Sequence, residues 1–209
     1  MRALIAVVTL VLATRGAAAE PDNTDLVLAG LAMTPPTYLI GVTLHEGSHA
    51  LAAELVGGDV TEVRLFPPGT DPKANKFRFG WVYATGLRTK PQKILFYLAP
   101  KITDGLLLGG FAALILTNTW PQNRYGQLAL TVGATGLWVD FSKDLLLFNK
   151  HNDVVKAFRL WCMTGIKQLP ARLLYGALVV ASGYTVARGY QKTFGEQDTM
   201  AVPLLMGRF

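Results

Sequence analysis

Long apolar stretches separated by short polar connections dominate the chain. They run from about Leu26 to Val56, Ile94 to Leu116, Leu128 to Phe148 and Leu173 to Ala187. The first stretch is broken by Pro35-Pro36, but its second part, from about Thr37 to Val56, is long enough alone to cross a bilayer, which takes roughly 20 residues. The pattern therefore predicts four transmembrane helices.

A different periodicity appears between the first two apolar segments. Thr61 to Phe66 and Lys76 to Tyr83 alternate polar and apolar side chains on either side of Pro67-Pro68-Gly69. Alternation with a period of two is typical of strands, and the Pro-Gly sequence is typical of the loop between them. We therefore expect an all-α polytopic membrane protein with a small β-hairpin insertion.

The amino terminus has the features of a secretory signal peptide. Met1-Arg2 precedes a short apolar run from Ala3 to Ala13, and Ala17-Ala18-Ala19 supplies an A-x-A cleavage site. The apolar run is too short to span a bilayer comfortably. We predict a signal peptide over residues 1–19, with an uncleaved anchor as the alternative. Residues 20–190 then form the membrane domain and residues 191–209 a C-terminal tail.

Composition supports this assignment. Of 209 residues, 51% are hydrophobic and only 16% are charged, whereas soluble domains carry about 25% charged residues. The net charge is +6, but the lysines and arginines lie in the connections between apolar segments rather than along one face of a soluble fold. We therefore expect no nucleic-acid partner. By the positive-inside rule, the connections after the first and third segments face the cytoplasm, as expected in a bacterial inner (plasma) membrane.

The motif with the clearest chemistry is His45-Glu46-Gly47-Ser48-His49, an H-E-x-x-H pattern inside the first apolar segment. Residues four apart share one face of a helix, so both imidazoles can reach one ion. Glu46 can accept a proton from a metal-bound water. Ionisable groups inside a membrane are costly and usually functional. We predict Zn2+ bound by His45 and His49, with Glu46 as general base, in the cytoplasmic half of the membrane. The single cysteine, Cys162, cannot build a cysteine-based zinc site.

A catalytic zinc usually has three protein ligands, and several residues could supply the third. The candidates are Asp104, Asp140, Asp144, His151 and Asp153. At 1.5 Å per residue, the histidines lie about 12–18 Å, and Asp140 about 12 Å, from the cytoplasmic ends of their segments. Asp144 is one turn shallower, and Asp153 lies beyond the span, where it could cap a helix beginning at Val154. Depth favours Asp140, with Asp153 and Asp144 as alternatives.

These motifs resemble the site-2 protease family of intramembrane zinc proteases. His45 to Ala53, followed by Gly57-Gly58 and a strand-like stretch, is similar to the first catalytic helix of that family. Tyr97-Leu98-Ala99-Pro100 through Gly105 stands where the family has a helix entry containing Gly and Pro. Asp140 to Asp144 and then Asn152-Asp153 resemble its later acidic region. The resemblance covers about Thr37 to Phe158.

The resemblance implies a zinc metalloendopeptidase that cleaves a transmembrane or juxtamembrane segment of a membrane-protein substrate. It also implies a third ligand in an Asp-Gly motif after a Pro-containing loop. Asn152-Asp153-Val154 is the nearest counterpart here, so the resemblance favours Asp153 where depth favours Asp140. The strands of the insertion could hold the substrate as an added strand.

Two other functions fit the same residues. One is a catalytically silent relative that binds membrane partners through the same fold. The other is a zinc transporter or other metal-handling protein that uses the histidine pair. The sequence does not arrange ligands through the remaining apolar segments, which argues against transport.

Overall fold

The structure is a computed structural model that describes residues 20–146 and 152–195. It is mostly helical. The helices are α1 (Asn23–Leu55), α2 (Lys90–Leu116), α3 (Arg124–Leu146), α4 (Asp153–Leu160) and α5 (Leu169–Phe194), with a 3-10 turn (Gly165–Gln168) before α5. The predicted signal peptide, His151 and most of the predicted tail lie outside the described residues. The expected domain boundary at residue 190 falls inside α5, which continues to Phe194.

Three helices in the described ranges are long and apolar enough to cross a membrane. They are Asn23–Leu55, Lys90–Leu116 and Gly165–Phe194, the last including the 3-10 turn. Large apolar side chains on the outer helices face away from the protein, and Leu28, Leu31, Leu173 and Leu174 are all more than half exposed. A continuous apolar exterior of this kind suits lipid rather than water. These helices are therefore consistent with a membrane protein.

The third predicted segment is also a helix, α3, but it is not among the three helices that are apolar enough to cross a membrane. Its polar residues face neighbouring helices: Thr131 lies 3.4 Å from Thr193, and Thr135 lies 3.1 Å from the Tyr190 hydroxyl. Each threonine also donates to a carbonyl one turn earlier in its own helix. These contacts satisfy the hydrogen-bonding groups of the threonines without water. They explain how α3 can pack inside the bundle although it carries polar side chains. Whether it crosses the membrane stays a prediction.

The core lies where α2, α3 and α5 meet. Its buried side chains are Leu108, Phe111, Ile115, Ala134, Phe141, Val179 and Val186. Close approach depends on glycine, because a Cβ on Gly189 would lie 2.7 Å from the Phe111 ring and one on Gly183 would lie 2.9 Å from the Trp138 indole nitrogen. Small residues at helix crossings allow this kind of packing within membranes.

Helix α1 is continuous through Pro35 and Pro36, so the predicted break is wrong. Because prolines have no N–H group, the carbonyls of Leu31 and Ala32, one turn before Pro35 and Pro36, have no helical hydrogen-bond partner. The helix begins at an Asp22–Asp25 capping box and ends just before Gly57, whose φ of +78° is a conformation that glycine adopts easily. The 33 residues span about 50 Å, which exceeds a hydrocarbon core of about 30 Å.

The β insertion between α1 and α2 is confirmed, but it contains four strands in two nested pairs. Strand β1 (Asp59–Arg64) pairs antiparallel with β4 (Trp81–Thr85), and β2 (Gly69–Asp71) pairs antiparallel with β3 (Lys76–Arg78). The predicted second strand is thus divided at residues 79–80.

A buried carboxylate holds the tip of the insertion together. Asp71 is fully buried and its Oδ1 accepts from the backbone N–H groups of Lys73 and Ala74 and from the Tyr83 hydroxyl. Its Oδ2 forms an ion pair with Arg78 Nε at 3.1 Å. Charge-assisted hydrogen bonds from several donors offset the cost of burying the charge. The insertion is consequently a defined structure beside the end of α1 rather than a loose loop.

Candidate metal centre

The two histidines of the H-E-x-x-H motif meet an aspartate from a distant part of the chain. His45 and His49 lie one turn apart on α1, with ring centroids 5.1 Å apart. Asp153 opens α4, and its carboxylate joins them so that one ligand atom of each residue lies within 4.8 Å of the others. Within residues 20–146 and 152–195, this is a group of three side chains able to hold a metal ion.

The spacing of these ligand atoms suits zinc. His49 Nε2 lies 3.4 Å from Asp153 Oδ2. Two ligand atoms at about 2.0–2.2 Å from a tetrahedral zinc lie about 3.4 Å apart. Two histidine nitrogens and one carboxylate oxygen also form a ligand set known for catalytic zinc, in which a fourth position stays open for water or substrate. The donor set therefore fits the predicted metal.

Both imidazoles are held by their other nitrogen. His45 Nδ1 lies 2.9 Å from Asp140 Oδ2, and His49 Nδ1 lies 2.7 Å from the Phe96 carbonyl oxygen. Each acceptor favours a proton on Nδ1, which leaves the Nε2 lone pair of each ring for an ion. Metal-bound histidines in proteins are usually supported in this way by a carboxylate or a carbonyl. The two rings are therefore oriented for coordination.

The acceptor for His49 is explained by a proline. In a regular helix the Phe96 carbonyl would accept from the N–H of residue 100, but Pro100 has none. The carbonyl is left without its helical donor, and His49 supplies one from α1. A proline in the interior of α2 thus has a direct role in orienting the metal centre.

We expect Pro100→Ala to have opposite effects on the helix and on the site. The alanine N–H would restore the helical hydrogen bond to Phe96 and stabilise α2 by removing a proline that costs about 3 kcal/mol. The same N–H would compete with His49, so zinc affinity should fall by about tenfold, the lower end for lost support of a ligand. Thermal unfolding of the metal-free protein and zinc titration check the two effects. Equal affinity in the variant would contradict this role for Pro100.

Neighbouring hydrogen bonds fix α1 against α2 at the same level. The Ser48 hydroxyl lies 2.7 Å from the Thr103 hydroxyl, and the Gln92 side-chain amide donates to the Val56 carbonyl at the end of α1. Both contacts join the helix that carries the histidines to the helix that carries Phe96. They keep the register between the two helices, on which the His49 hydrogen bond depends.

Glu46 lies beside the three ligands and lines a cavity. No hydrogen bond or ion pair from another described residue reaches its carboxylate, although it interacts electrostatically with both histidines and Asp153. The strand backbone packs closely against it, because a Cβ on Gly80 would lie 2.9 Å from Glu46 Cγ. A free carboxylate beside an open metal position can act as a general base.

Asp140 supports a ligand and is not part of the ligand group. Its Oδ2 accepts from His45 Nδ1 at 2.9 Å and from Lys101 Nζ at 2.7 Å, and Lys143 pairs with its other oxygen. Asp140 contacts His45, but at Nδ1, and it lies outside the group that His45, His49 and Asp153 form. Depth compares positions along one axis only, so the sequence could not show which side of the ring the carboxylate approaches.

The other predicted candidates are placed as follows. Asp144 is buried, lies 3.2 Å from Lys101 and accepts from Asn152. Asp104 is buried and lies 3.4 Å from Lys101. Neither belongs to the group formed by the histidines and Asp153. His151 lies outside the described residues.

Asp153 reaches the histidines because it opens α4, which packs against α2. The expectation that Asp153 caps a helix is wrong, since Asn152 is the N-cap of α4 and accepts from Val154 and Val155. Apolar residues of α4, including Ala157 and Phe158, are buried, and the helix packs against α2. Asp153 is therefore held at the start of a docked helix.

Charge also suits Asp153 to a ligand role. Burial by itself would raise the pKa of its carboxyl group. In the metal-free site, a protonated His49, whose Nε2 proton an ion would replace, and Lys156 2.8 Å away hold the pKa below its usual range. The carboxylate is accordingly ionised at neutral pH. Metal binding requires an ionised carboxylate, so no proton must be removed from Asp153 before coordination.

A cavity of about 890 Å³ adjoins the centre. Its wall contains the polar or charged side chains of His45, Glu46, Asp140, Lys143 and Arg78, while most of the remaining wall is formed by apolar and small residues of α1, α3 and α5. Phe79 lies at its edge and packs against Tyr38 with ring centroids 5.4 Å apart. The cavity is large enough for several side chains of a peptide and brings them to the free carboxylate.

Sequence reasoning did not identify Lys101 or the Phe96 carbonyl as parts of this centre. A lysine inside the second apolar segment, three residues before Asp104, was a usable signal, because charged side chains are rare in transmembrane helices. The chain matches no protein-family model, no curated protein sequence and no solved structure. Function is therefore argued from the site.

Proposed function

We propose that the chain is an intramembrane zinc metalloendopeptidase that hydrolyses membrane-embedded or juxtamembrane peptide bonds. The observation that carries the proposal is the meeting of His45, His49 and Asp153, with both histidine Nδ1 atoms already bonded to acceptors. The unpaired Glu46 carboxylate beside them supports chemistry over mere metal storage. A protein that binds metal without cleaving peptides would instead be catalytically silent or would handle metal, and the experiments distinguish these two alternatives.

Each residue has a role in peptide hydrolysis. His45 and His49 through Nε2, and Asp153 through Oδ2, would hold the ion. Zinc, when bound, lowers the pKa of water and polarises the scissile carbonyl. Glu46 accepts a proton from the attacking water, whose oxygen bonds to the carbonyl carbon. As the carbon–nitrogen bond breaks, Glu46 returns the proton to the leaving amine.

The cavity gives a place for the substrate. Its largely apolar lining from α1, α3 and α5 suits an apolar peptide segment, and Glu46 lies in the same wall. Among the described strands, β3 pairs with β2 alone, so its other edge is free to pair with an extended peptide. A substrate must be extended at the scissile bond, because a helix occupies its carbonyls in internal hydrogen bonds.

The membrane arrangement that goes with this function has four crossings. Helix α3 has 23 residues and is about 35 Å long, enough to span the hydrocarbon core. With α3 as a crossing, the insertion after α1 and the region around α4 lie on one side, and basic residues in both connections assign that side to the cytoplasm. The metal centre then lies in the cytoplasmic half of the membrane.

Metal removal tests the proposal directly. We expect the purified protein to hold one zinc per chain and to cleave an apolar transmembrane peptide in detergent or liposomes. Treatment with 1,10-phenanthroline should abolish cleavage, and added Zn2+ should restore it, because the open position of the metal is needed to activate water. Protein without stoichiometric metal would refute the centre itself. A metal-bound protein that cleaves nothing but moves zinc across vesicles would favour transport.

A further inference from the structure

Lys101 is a buried cation in the middle of a membrane helix. It lies in α2 with 7% of its surface exposed. Its Nζ lies 2.7 Å from Asp140 Oδ2, 3.2 Å from Asp144 Oδ2 and 3.4 Å from Asp104 Oδ2. An ammonium group in this setting is retained only when several oxygens replace water. The proposed hydrolysis does not itself use this residue.

On one side, Lys101 reaches the first histidine through a single shared atom. Asp140 Oδ2 accepts both from Lys101 Nζ and from His45 Nδ1. The ammonium also donates to the Asp140 backbone carbonyl, so it binds both the side chain and the main chain of that residue. Two such contacts define the position of the carboxylate, and the carboxylate defines the orientation of the imidazole.

On the other side, Lys101 reaches the segment that carries the aspartate ligand. Asp144 Oδ1 and the Asp144 carbonyl accept from the Asn152 amide at 3.0 and 2.8 Å. Asn152 in turn caps α4 through Val154 and Val155, and Asp153 is the first residue of that helix. The Lys101 ammonium is thus connected to the start of α4 through its ion pair with Asp144 and through the hydrogen bonds of Asn152.

We propose that Lys101 is the positioning residue of the metal centre, because one ammonium group holds both the carboxylate that orients His45 and the residues that place Asp153. This inference rests on the proposed function. It predicts that the charge of Lys101 decides the geometry of the ligands, although Lys101 touches none of the three. Its removal would leave Asp140 free to turn from His45 and Asp144 free to leave Asn152.

Lys143 provides a matched control. It pairs with the same Asp140 carboxylate, through Oδ1, but its side chain is 42% exposed. Within the described residues, the ion pair to Asp144 comes from Lys101 and not from Lys143. Water can replace an exposed cation at little cost, whereas nothing replaces a buried one. Lys101→Met and Lys143→Met each remove one positive charge from the same carboxylate. They differ in burial and in the contacts that Lys101 alone makes with Asp104, Asp144 and the Asp140 carbonyl.

The experiment uses the full-length protein in detergent with Co2+ in place of zinc, since the visible absorption of Co2+ reports the number and geometry of its ligands. We expect Lys143→Met to retain the wild-type spectrum and affinity to within about threefold. Lys101→Met should weaken Co2+ binding by about 10–100-fold, the range for loss of residues that support metal ligands, and should change the absorption bands. A general loss of stability would reduce the amount of folded protein without altering the spectrum of what remains.

Lys101→Met combined with Asp104→Asn guards against misfolding, because it removes one carboxylate together with the cation. We expect this double variant to fold and to keep the altered spectrum. Wild-type affinity and spectrum in either variant would overturn the role of Lys101. Failure of both variants to fold would overturn it too, because Lys101 would then be needed to stabilise the helix bundle rather than to position the ligands. Wild-type protein that binds no metal would instead refute the proposed function.

Discussion

Glu46→Gln is expected to lower the rate of peptide-bond hydrolysis by about 10²–10⁴-fold, the contribution typical of a general base. Glutamine has nearly the shape of glutamate but cannot accept the proton of the attacking water. Glu46 is outside the ligand group, so the variant should bind zinc like the wild type. Hydrolysis of an apolar peptide and zinc content, measured on the same preparation, check both expectations.

The control for this prediction lies on the same helix. Glu54 accepts from the Val60 N–H at 3.0 Å, two turns beyond Glu46, and glutamine can accept the same hydrogen bond. Glu54→Gln should therefore leave hydrolysis near the wild-type rate. Full biological activity of the Glu46→Gln protein, with metal bound, would show that the chain acts without this chemistry and would favour the catalytically silent alternative.

The second large effect is on zinc affinity, and it distinguishes Asp140 from Asp153, the two aspartates between which the sequence did not decide the third ligand. Asp153→Asn should lower zinc affinity by more than about 100-fold, because it removes a ligand, while Asp140→Asn should lower it by about 10–100-fold, because it weakens the support of one. Asparagine preserves shape in both cases. Zinc titration of the two purified variants gives the comparison, and X-ray absorption of the bound metal gives the ligands.

The outcome separates the two assignments clearly. If Asp140 were the ligand, Asp140→Asn would have the larger effect and the metal would lose an oxygen neighbour in that variant alone. If Asp153 is the ligand, the metal in Asp140→Asn keeps its carboxylate oxygen neighbour, and the substitution alters only the orientation of His45. The structure places Asp153 Oδ2 3.4 Å from His49 Nε2 and Asp140 Oδ2 2.9 Å from His45 Nδ1, which is the basis for expecting this order.

Pattern alone was sufficient for the parts of the fold that depend on local sequence. The apolar segments predicted α1, α2 and α5, because a helix in lipid must satisfy the hydrogen bonds of its own backbone within one continuous apolar stretch. Period-two alternation indicated the β insertion for an equally local reason. The division of its second strand at Gly80 was missed, because that break follows from the close approach of the strand to Glu46, a contact between distant residues.

The prolines show where local rules give the wrong answer or an incomplete one. Pro35 and Pro36 were expected to break the first segment, yet α1 runs through them, because neighbouring structure can support a helix that lacks two hydrogen bonds. Pro100 also lies inside a helix. There the missing hydrogen bond leaves the Phe96 carbonyl to His49, a use that only the packing of α1 on α2 reveals.

The sequence by itself determined that the chain has helices long and apolar enough to cross a membrane. It also determined that two imidazoles one turn apart, with a glutamate beside them, could face one ion, since helical periodicity fixes those relations. Only the tertiary structure decided which carboxylate joins them. Asp140 and Asp153 have the same side chain, but Asp153 opens a helix that packs against α2, whereas Asp140 lies on α3 beside His45 Nδ1. Such relations depend on the packing of distant segments, which no local spacing encodes.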